Sequence, residues 1–275
     1  LSEQRAAALL DVAVAAAREA GGALLERFRA SATGAVRTKS TPTDLVSEAD
    51  IEAQRLIRAL IARERPGEEF VGEEEDQTQV AQGQIDAGAP RGGLRWVVDP
   101  LDGTVNFLFG IPQWCVSVAV QERSGRTLAG AIYDPCREEL FTAVADGEAT
   151  LGGGAIAGPP QRPLAQAMVA TGFYYDARVR SAQAQTLVRL LPAVRDIRRM
   201  GSAALDLAWT AAGRYDAYFE RGVKSWDIAA GELICACAGL AVHELVEQAS
   251  GRLPRGILVA RAELAGELQA LLAER

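Results

Sequence analysis

In residues 96–110, WVVDPLDGTVNFLFG, two carboxylates three positions apart, Asp99 and Asp102, close an apolar run and are followed at once by Gly103 and Thr104. At a strand end, side chains stand exposed at the sheet edge, and Pro100 restricts the backbone so that both carboxylates and the Leu101 carbonyl can point to one place. Two anions so placed repel each other and need a cation. The following GTVNF reads as a helix start, whose free backbone N–H groups can cradle a phosphate, with Gly103 allowing close approach.

More carboxylates stand in non-helical or helix-starting segments: Glu73 in VGEEE, Asp44 and Asp50 in DLVSEAD, and Asp227 in SWDIAAGE. All these donors are oxygen, the single histidine is His243, and no thiol pair is suitably spaced. That inventory suits a hard cation such as Mg²⁺ rather than zinc. Metal ions clamp phosphoryl oxygens, lower the pKa of a bound water and stabilise a leaving oxygen, so the chemistry implied is metal-assisted hydrolysis of a phosphate ester, with Thr104 orienting the water. No Ser, Cys or His stands beside a plausible base, so no covalent phospho-enzyme is required.

Each residue has a plainer reading. An isolated Asp or Glu is ordinarily solvated surface, and Glu74, Glu75 and Asp76 are read so, with Glu74 placed to support Glu73. Asp227 reads also as a helix N-cap, and Asp44 and Asp50 as caps or dipole partners, Asp44 being the better cap and Asp50 the better site residue. His243, in LAVHEL, reads as an ordinary strand residue. Trp96, Trp209 and Trp226 read as core, and the Arg198-Arg199 pair as an anion contact or as exposed or subunit-contacting surface.

The elements that must position these groups follow from periodicity. Residues 5–29 repeat apolar at three and four spacing, a long helix with a weak point at Gly21-Gly22. A second helix is expected over 47–62, ended by RPG, followed by a short strand running into the acidic VGEEE turn. From residue 94 the runs RWVVD, WCVSVAVQE, LAGAIYDP and ELFTAVA have strand length and turn signals between them, an antiparallel meander. The Gly- and Pro-rich stretch 152–163 reads as a lobe boundary. Beyond it strands and helices alternate, a layered sheet with helices on its faces. The expected class is therefore α+β. An N-terminal, mostly antiparallel lobe, residues 1–152, carries most ligands, and a C-terminal α/β lobe, residues 153–275, supplies Asp227.

The chain has 275 residues, 49% hydrophobic and 24% charged, enough apolar surface for one large domain or two closely packed lobes. A net charge of −7 argues against a general nucleic-acid or anionic-membrane binder. The longest apolar runs, at 114–120 and 234–242, are too short for a membrane span. The N-terminal stretch is amphipathic rather than a secretory signal, so a cytoplasmic protein is expected. Cys115, Cys136, Cys235 and Cys237 are too few and irregular for a disulfide framework and read as free thiols.

The run WVVDPLDGTVNF resembles the D-P-(hydrophobic)-D-G-(Thr/Ser) signature of the inositol monophosphatase family, and WDIAAG, residues 226–231, resembles its second signature. VGEEE and KSTPTDLVSEAD match further family segments in the same order, so the resemblance runs from Lys39 to the C-terminal helix. It implies an αβαβα sandwich and a Mg²⁺-dependent, often lithium-sensitive homodimer holding two or three Mg²⁺ per active site. Position by position, Glu73, Asp99 and the Leu101 carbonyl would bind the first ion, and Asp99, Asp102 and Asp227 the second. Glu73 would also hold a weaker third. Asp50 would pair with Thr104 to polarise the attacking water. The Gly103 and Thr104 amides would hold the phosphate, and Ala203 and Glu220 would face substrate hydroxyls.

Phe109 stands where many relatives have His, and Lys224 lies beside the Trp226-Asp227 pair; both bear on substrate choice. The substrate implied is myo-inositol 1-phosphate or a related polyol or sugar phosphate. Histidinol phosphate, fructose 1,6-bisphosphate and 3′-phosphoadenosine 5′-phosphate are the alternatives within the superfamily. A non-catalytic regulatory partner is the alternative outside it, and it would be expected to have lost a ligand.

Overall fold

The structure is a computed structural model that describes residues 3–30, 36–38, 45–74, 93–248 and 251–273. Lys39, Asp44, Glu75 and Asp76 lie outside the described residues.

Helix α1 (Glu3–Arg29) buries Leu9, Ala13, Ala16, Ala17, Ala20 and Leu24, one stripe at helical spacing. It runs unbroken through Gly21-Gly22, where sequence suggested a weak point. A methyl group at Gly21 would lie 2.6 Å from the Tyr133 ring, so the glycine allows close packing on the sheet below. After a two-stranded antiparallel ribbon, β1 (Val36–Thr38) with β2 (Leu45–Ser47), comes helix α2 (Glu48–Glu64), which buries Ala49, Ala53, Ile57, Leu60 and Ile61 beside α1.

The first sheet has seven strands in sequence order: β3 (Glu69–Gly72), β4 (Leu94–Asp102), β5 (Cys115–Glu122), β6 (Thr127–Asp134), β7 (Glu139–Val144), β8 (Ala149–Leu151) and β9 (Gly154–Ile156). From β4 onward every pairing is antiparallel, the expected meander, whereas β3 runs parallel to β4. That parallel pair brings Glu73, just past β3, and the carboxylates closing β4 to the same edge. Short helix α3 (Thr104–Leu108) follows β4. The stretch read as a boundary from residue 152 begins inside a hairpin: Gly152 and Gly153, both at positive φ, turn β8 into β9, and the chain leaves this sheet only after Ile156.

The second sheet contains β10 (Met168–Thr171), β11 (Asp196–Arg198), β12 (Ala217–Arg221), β13 (Ala241–Leu245) and β14 (Gly256–Ala260), in the order β11-β10-β12-β14-β13. β11, β10 and β12 are parallel and β14 is antiparallel to both its neighbours. Helices α4 (Ala177–Leu190) and α7 (Ala262–Leu272) cover its outer face. Between the sheets lie α5 (Ala203–Ala211) and α6 (Ser225–Cys237).

The result is an α+β sandwich in five layers with three apolar cores. Successive residues of a strand point to opposite faces, so Trp96 and Val98 pack against α1 and α2 while Val97 faces the middle layer. Likewise Tyr218 faces the middle layer and Phe219 the outer helices. Both sheets are thus covered on two sides, which is why their central strands read as continuous apolar runs. α5, packed on both sides, buries eight of its nine residues.

Trp96 is fully buried, whereas Trp209 and Trp226 are half-buried at the margin of the middle core. The Arg137 and Arg214 guanidinium groups lie 4.9 and 4.7 Å from the Trp209 ring centre. All four cysteines are free, and His243 is a half-buried strand residue paired with Leu258. Among the described residues no helix is long and apolar enough to cross a membrane.

Candidate active site

The pairing register of β4 with β5 shifts between Asp99 and Asp102, at the place where Pro100 has no N–H to give the ladder. The irregularity re-aims the strand end. Asp99 turns back so that its Oδ1 accepts the Leu101 N–H at 3.0 Å. Gly103 then adopts φ 97°, a left-handed conformation, and a methyl group there would lie 2.8 Å from the Gln113 carbonyl oxygen. Glycine is therefore required twice at this position, for conformation and for space. It caps α3, whose first residue is Thr104.

Asp50 arrives from α2. Its Oδ2 accepts the Ser47 N–H at 2.9 Å and the Ser47 hydroxyl at 2.5 Å, while Ser47 Oγ accepts the Ala49 N–H, forming a capping box. The α2 cap is thus Ser47, with Asp50 completing its capping box, while Asp44 lies outside the described residues. Its other oxygen, Oδ1, accepts the Thr104 hydroxyl at 2.9 Å, and the Leu101 carbonyl lies 3.0 Å from the same hydroxyl. Asp50 is fully buried, Asp99 is 2% exposed and Asp102 9% exposed, so these carboxylates are structural commitments rather than solvated surface.

Asp102 is gripped by the start of α5: its Oδ2 accepts the Ser202 hydroxyl and the Ala204 N–H, each at 2.6 Å. Burial pushes its carboxyl up to about 6, and the nearby Glu73 charge pushes in the same direction against those hydrogen bonds. Asp227 occupies the third position of α6, not the cap itself, and its Oδ2 accepts the Lys224 N–H at 2.6 Å. Burial, then the charges of Glu73 and Asp102, hold its carboxyl well above the usual range. Glu73 just past β3, Asp102 from β4 and Asp227 from α6 therefore repel one another across the junction of the first sheet and the middle layer.

Glu220, near the end of β12, accepts the Tyr218 hydroxyl at Oε2, 2.8 Å away. Burial raises it to about 7; the Arg199 charge pulls it down and Asp102 pushes it up. Ala203, the other expected substrate-facing residue, opens α5 beside the Asp102 contact. Phe109 is exposed at the end of α3, and Lys224 is exposed at the α6 start.

Two partners and one further buried acid were not read from the sequence. Ser47 and Ser202 hold Asp50 and Asp102, the second across 100 residues of chain. Asp206 is fully buried in α5, and neither carboxylate oxygen has a hydrogen-bond partner among the described residues. Burial, then Glu220 and Asp102, push its carboxyl well up. A lone Asp in the apolar run AALDLAW was the available signal.

The donor set fits a hard divalent cation: every group is an oxygen, and the carboxylates disfavour each other's ionisation until a cation compensates them. Among the described residues, no three acidic, thiol or imidazole side chains are gathered tightly enough to form a ready-made cage. The fit thus rests on donor chemistry and mutual repulsion.

Residues 6–275 match the model of the inositol monophosphatase family. The chain is 43% identical over 246 residues to inositol-1-monophosphatase SuhB of Mycobacterium tuberculosis, covering 87% of this chain and 81% of that protein. It is 39% identical over 235 residues to the Nus factor SuhB of Pasteurella multocida, covering 84% of this chain and 83% of that one. Its fold matches the crystal structure of the extragenic suppressor protein suhB from Bartonella henselae with a TM-score of 0.85 and 33% identity, covering 97% and 99% of the two chains.

Proposed function

The chain belongs to the inositol monophosphatase family and is a phosphatase of that type, and we propose that it hydrolyses a small polyol phosphate, myo-inositol 1-phosphate or a related sugar phosphate, with Mg²⁺. Glu73, Asp99, the Leu101 carbonyl, Asp102 and Asp227 would hold two or three Mg²⁺, which supply Lewis acidity toward a phosphate ester and its attacking water.

The observation that carries this reading is the Thr104–Asp50 hydrogen bond, which joins positions 54 residues apart beside the β4 carboxylates. The Thr104 hydroxyl has one proton, committed to Asp50 or to the Leu101 carbonyl, so its oxygen lone pairs are left to accept a hydrogen bond from water and orient it. Asp50, held by both donors of Ser47, is the acceptor at the end of that relay. Glu73 would complete the polarisation. The Gly103 and Thr104 amides would receive phosphate oxygens, and Glu220, with Ala203 leaving room, would accept substrate hydroxyls. Burial pushes the Cys115 thiol well up and keeps it protonated, which supports direct attack by water over a covalent route.

Retention of Glu73, Asp99, Asp102, Thr104 and Asp227 favours an enzyme over a non-catalytic regulatory partner. The reading also carries a lithium-sensitive, cytoplasmic homodimer. Its test is phosphate release from inositol 1-phosphate, histidinol phosphate, fructose 1,6-bisphosphate and 3′-phosphoadenosine 5′-phosphate, with and without Mg²⁺. Inositol 1-phosphate ranking first supports the proposal; another ester ranking first moves the enzyme to that branch.

A further inference from the structure

The parallel strands β11, β10 and β12 end on the same side of the second sheet, and ligands of such sheets bind beyond the carboxyl ends of parallel strands. Three residues stand there side by side. Arg199 is one residue past β11, Gly172 one past β10, and Glu220 is the penultimate residue of β12. β10 is the middle strand, so Gly172 lies between the base and the acid.

A methyl group at Gly172 would fall inside the van der Waals envelope of the Glu220 carboxylate, overlapping Oε1, Oε2 and Cδ. Gly172 is not among the glycines at positive φ, so its backbone does not call for glycine. The three atoms nearest the missing methyl all belong to that carboxylate. Because the colliding atoms are the tip of a flexible side chain, a larger residue would move that tip rather than the sheet. Tyr218 is the one hydrogen-bond donor to Glu220 among the described residues, so little else fixes where the carboxylate points.

Arg199 supports the same arrangement. Its guanidinium lies 5.9 Å from the centre of the Phe173 ring, and among the described residues it makes no hydrogen bond or ion pair. After the Tyr218 hydrogen bond, its charge favours ionised Glu220, and an ionised carboxylate accepts hydrogen bonds at both oxygens.

We propose that Gly172 is a positioning residue for substrate selection: its missing side chain is the seat of the Glu220 carboxylate, and this seat sets a preference for phosphate esters whose leaving group carries hydroxyls. The proposal rests on the phosphatase reading and on Glu220 facing those hydroxyls. It is tested in the full chain with Gly172→Ala, Glu220→Gln and their combination, comparing kcat/KM for inositol 1-phosphate with that for p-nitrophenyl phosphate, whose leaving group has no other hydroxyl.

The expected result is a fall of about tenfold in the ratio of the two kcat/KM values for either single variant, the loss of one charge-assisted hydrogen bond. The double variant should show no larger fall than Glu220→Gln, because both changes remove the same contact. An unchanged ratio in Gly172→Ala, or losses that multiply in the double variant, would overturn the proposal. So would a Gly172→Ala protein that fails to fold even with Glu220→Ala, since the glycine would then serve the backbone. A wild-type enzyme that cleaves both esters without preference leaves the phosphatase reading standing and removes this one. A wild-type enzyme that cleaves neither removes both.

Discussion

Replacing Thr104 by valine removes one hydroxyl and keeps the outline of the side chain. That hydroxyl lies 2.9 Å from Asp50 Oδ1 and 3.0 Å from the Leu101 carbonyl, and its single proton serves one of them at a time. One hydrogen bond is therefore lost, about 0.5–1.5 kcal/mol if it goes to the Leu101 carbonyl and about 1.5–3 kcal/mol if it goes to an Asp50 carboxylate. Asp50 keeps both donors of Ser47 on its other oxygen, which places the second of these losses at its lower end, about 1.5–2 kcal/mol. In a chain of this size that lowers the thermal midpoint by about 2–4 °C per kcal/mol. On the proposed relay the effect on rate is larger, because the attacking water would lose its orienting acceptor and its link to Asp50: kcat should fall about 100-fold or more. Thermal unfolding and Mg²⁺-dependent phosphate release, measured on Thr104→Val and Thr104→Ser, separate the two effects. Serine restores the hydroxyl and should recover most of the rate. A valine variant with near wild-type kcat would refute the relay, whatever its stability.

Other outcomes follow from the same geometry. Gly103→Ala forces a side chain into φ 97° and toward the Gln113 carbonyl oxygen, and should cost about 1–3 kcal/mol in thermal or urea unfolding together with most of the activity; an alanine variant as stable and active as wild type would contradict the account of the β4–α3 turn. Without metal, Asp102, raised to about 6, and Glu220 and Glu232, raised to about 7, the last by burial in α6 and the nearby Glu244 charge, hold protons in the folded state that the unfolded chain releases. Their contribution is therefore present at low pH and lost as pH rises from about 4.5 through 7. In chelator, unfolding midpoints should fall across that window, with Glu220→Gln flattening part of the slope, and a steady rise would contradict the sign. Burial, then Glu220 and Asp102, disfavour an ionised Asp206, and its oxygens have no hydrogen-bond partner among the described residues, so Asp206→Asn should leave the unfolding free energy within about 1 kcal/mol of wild type; a loss several times larger would show that the carboxyl has a partner.

Much of this architecture was legible because its causes are local. The stripe from Leu9 to Leu24, the Ser47 start of α2 and the apolar strands from Leu94 to Val144 each announce themselves over a few residues. The Asp99–Asp102 step was legible because proline and glycine at those positions leave the backbone little choice. Glycine density marks turns and linkers alike, so the Gly152-Gly153 hairpin is not separable from a linker in sequence; the pairing of β8 with β7 and of β9 with β8 decides it. The Ser202 contact to Asp102 and the seat at Gly172 are long-range facts: each needs two distant segments in register before its chemistry exists. Gly21 shows the converse, a glycine whose local signal points to a break and whose tertiary role is close packing.

The central claim is that the β4 carboxylates hold the Mg²⁺ that hydrolysis needs. Phosphate release from myo-inositol 1-phosphate by wild type and Asp99→Asn, each titrated with Mg²⁺, tests it most directly, with circular dichroism confirming that both are folded. Saturable, Mg²⁺-dependent turnover in wild type and none in a folded Asp99→Asn protein is the expected result. Equal turnover by the two proteins, or turnover indifferent to Mg²⁺, would contradict it.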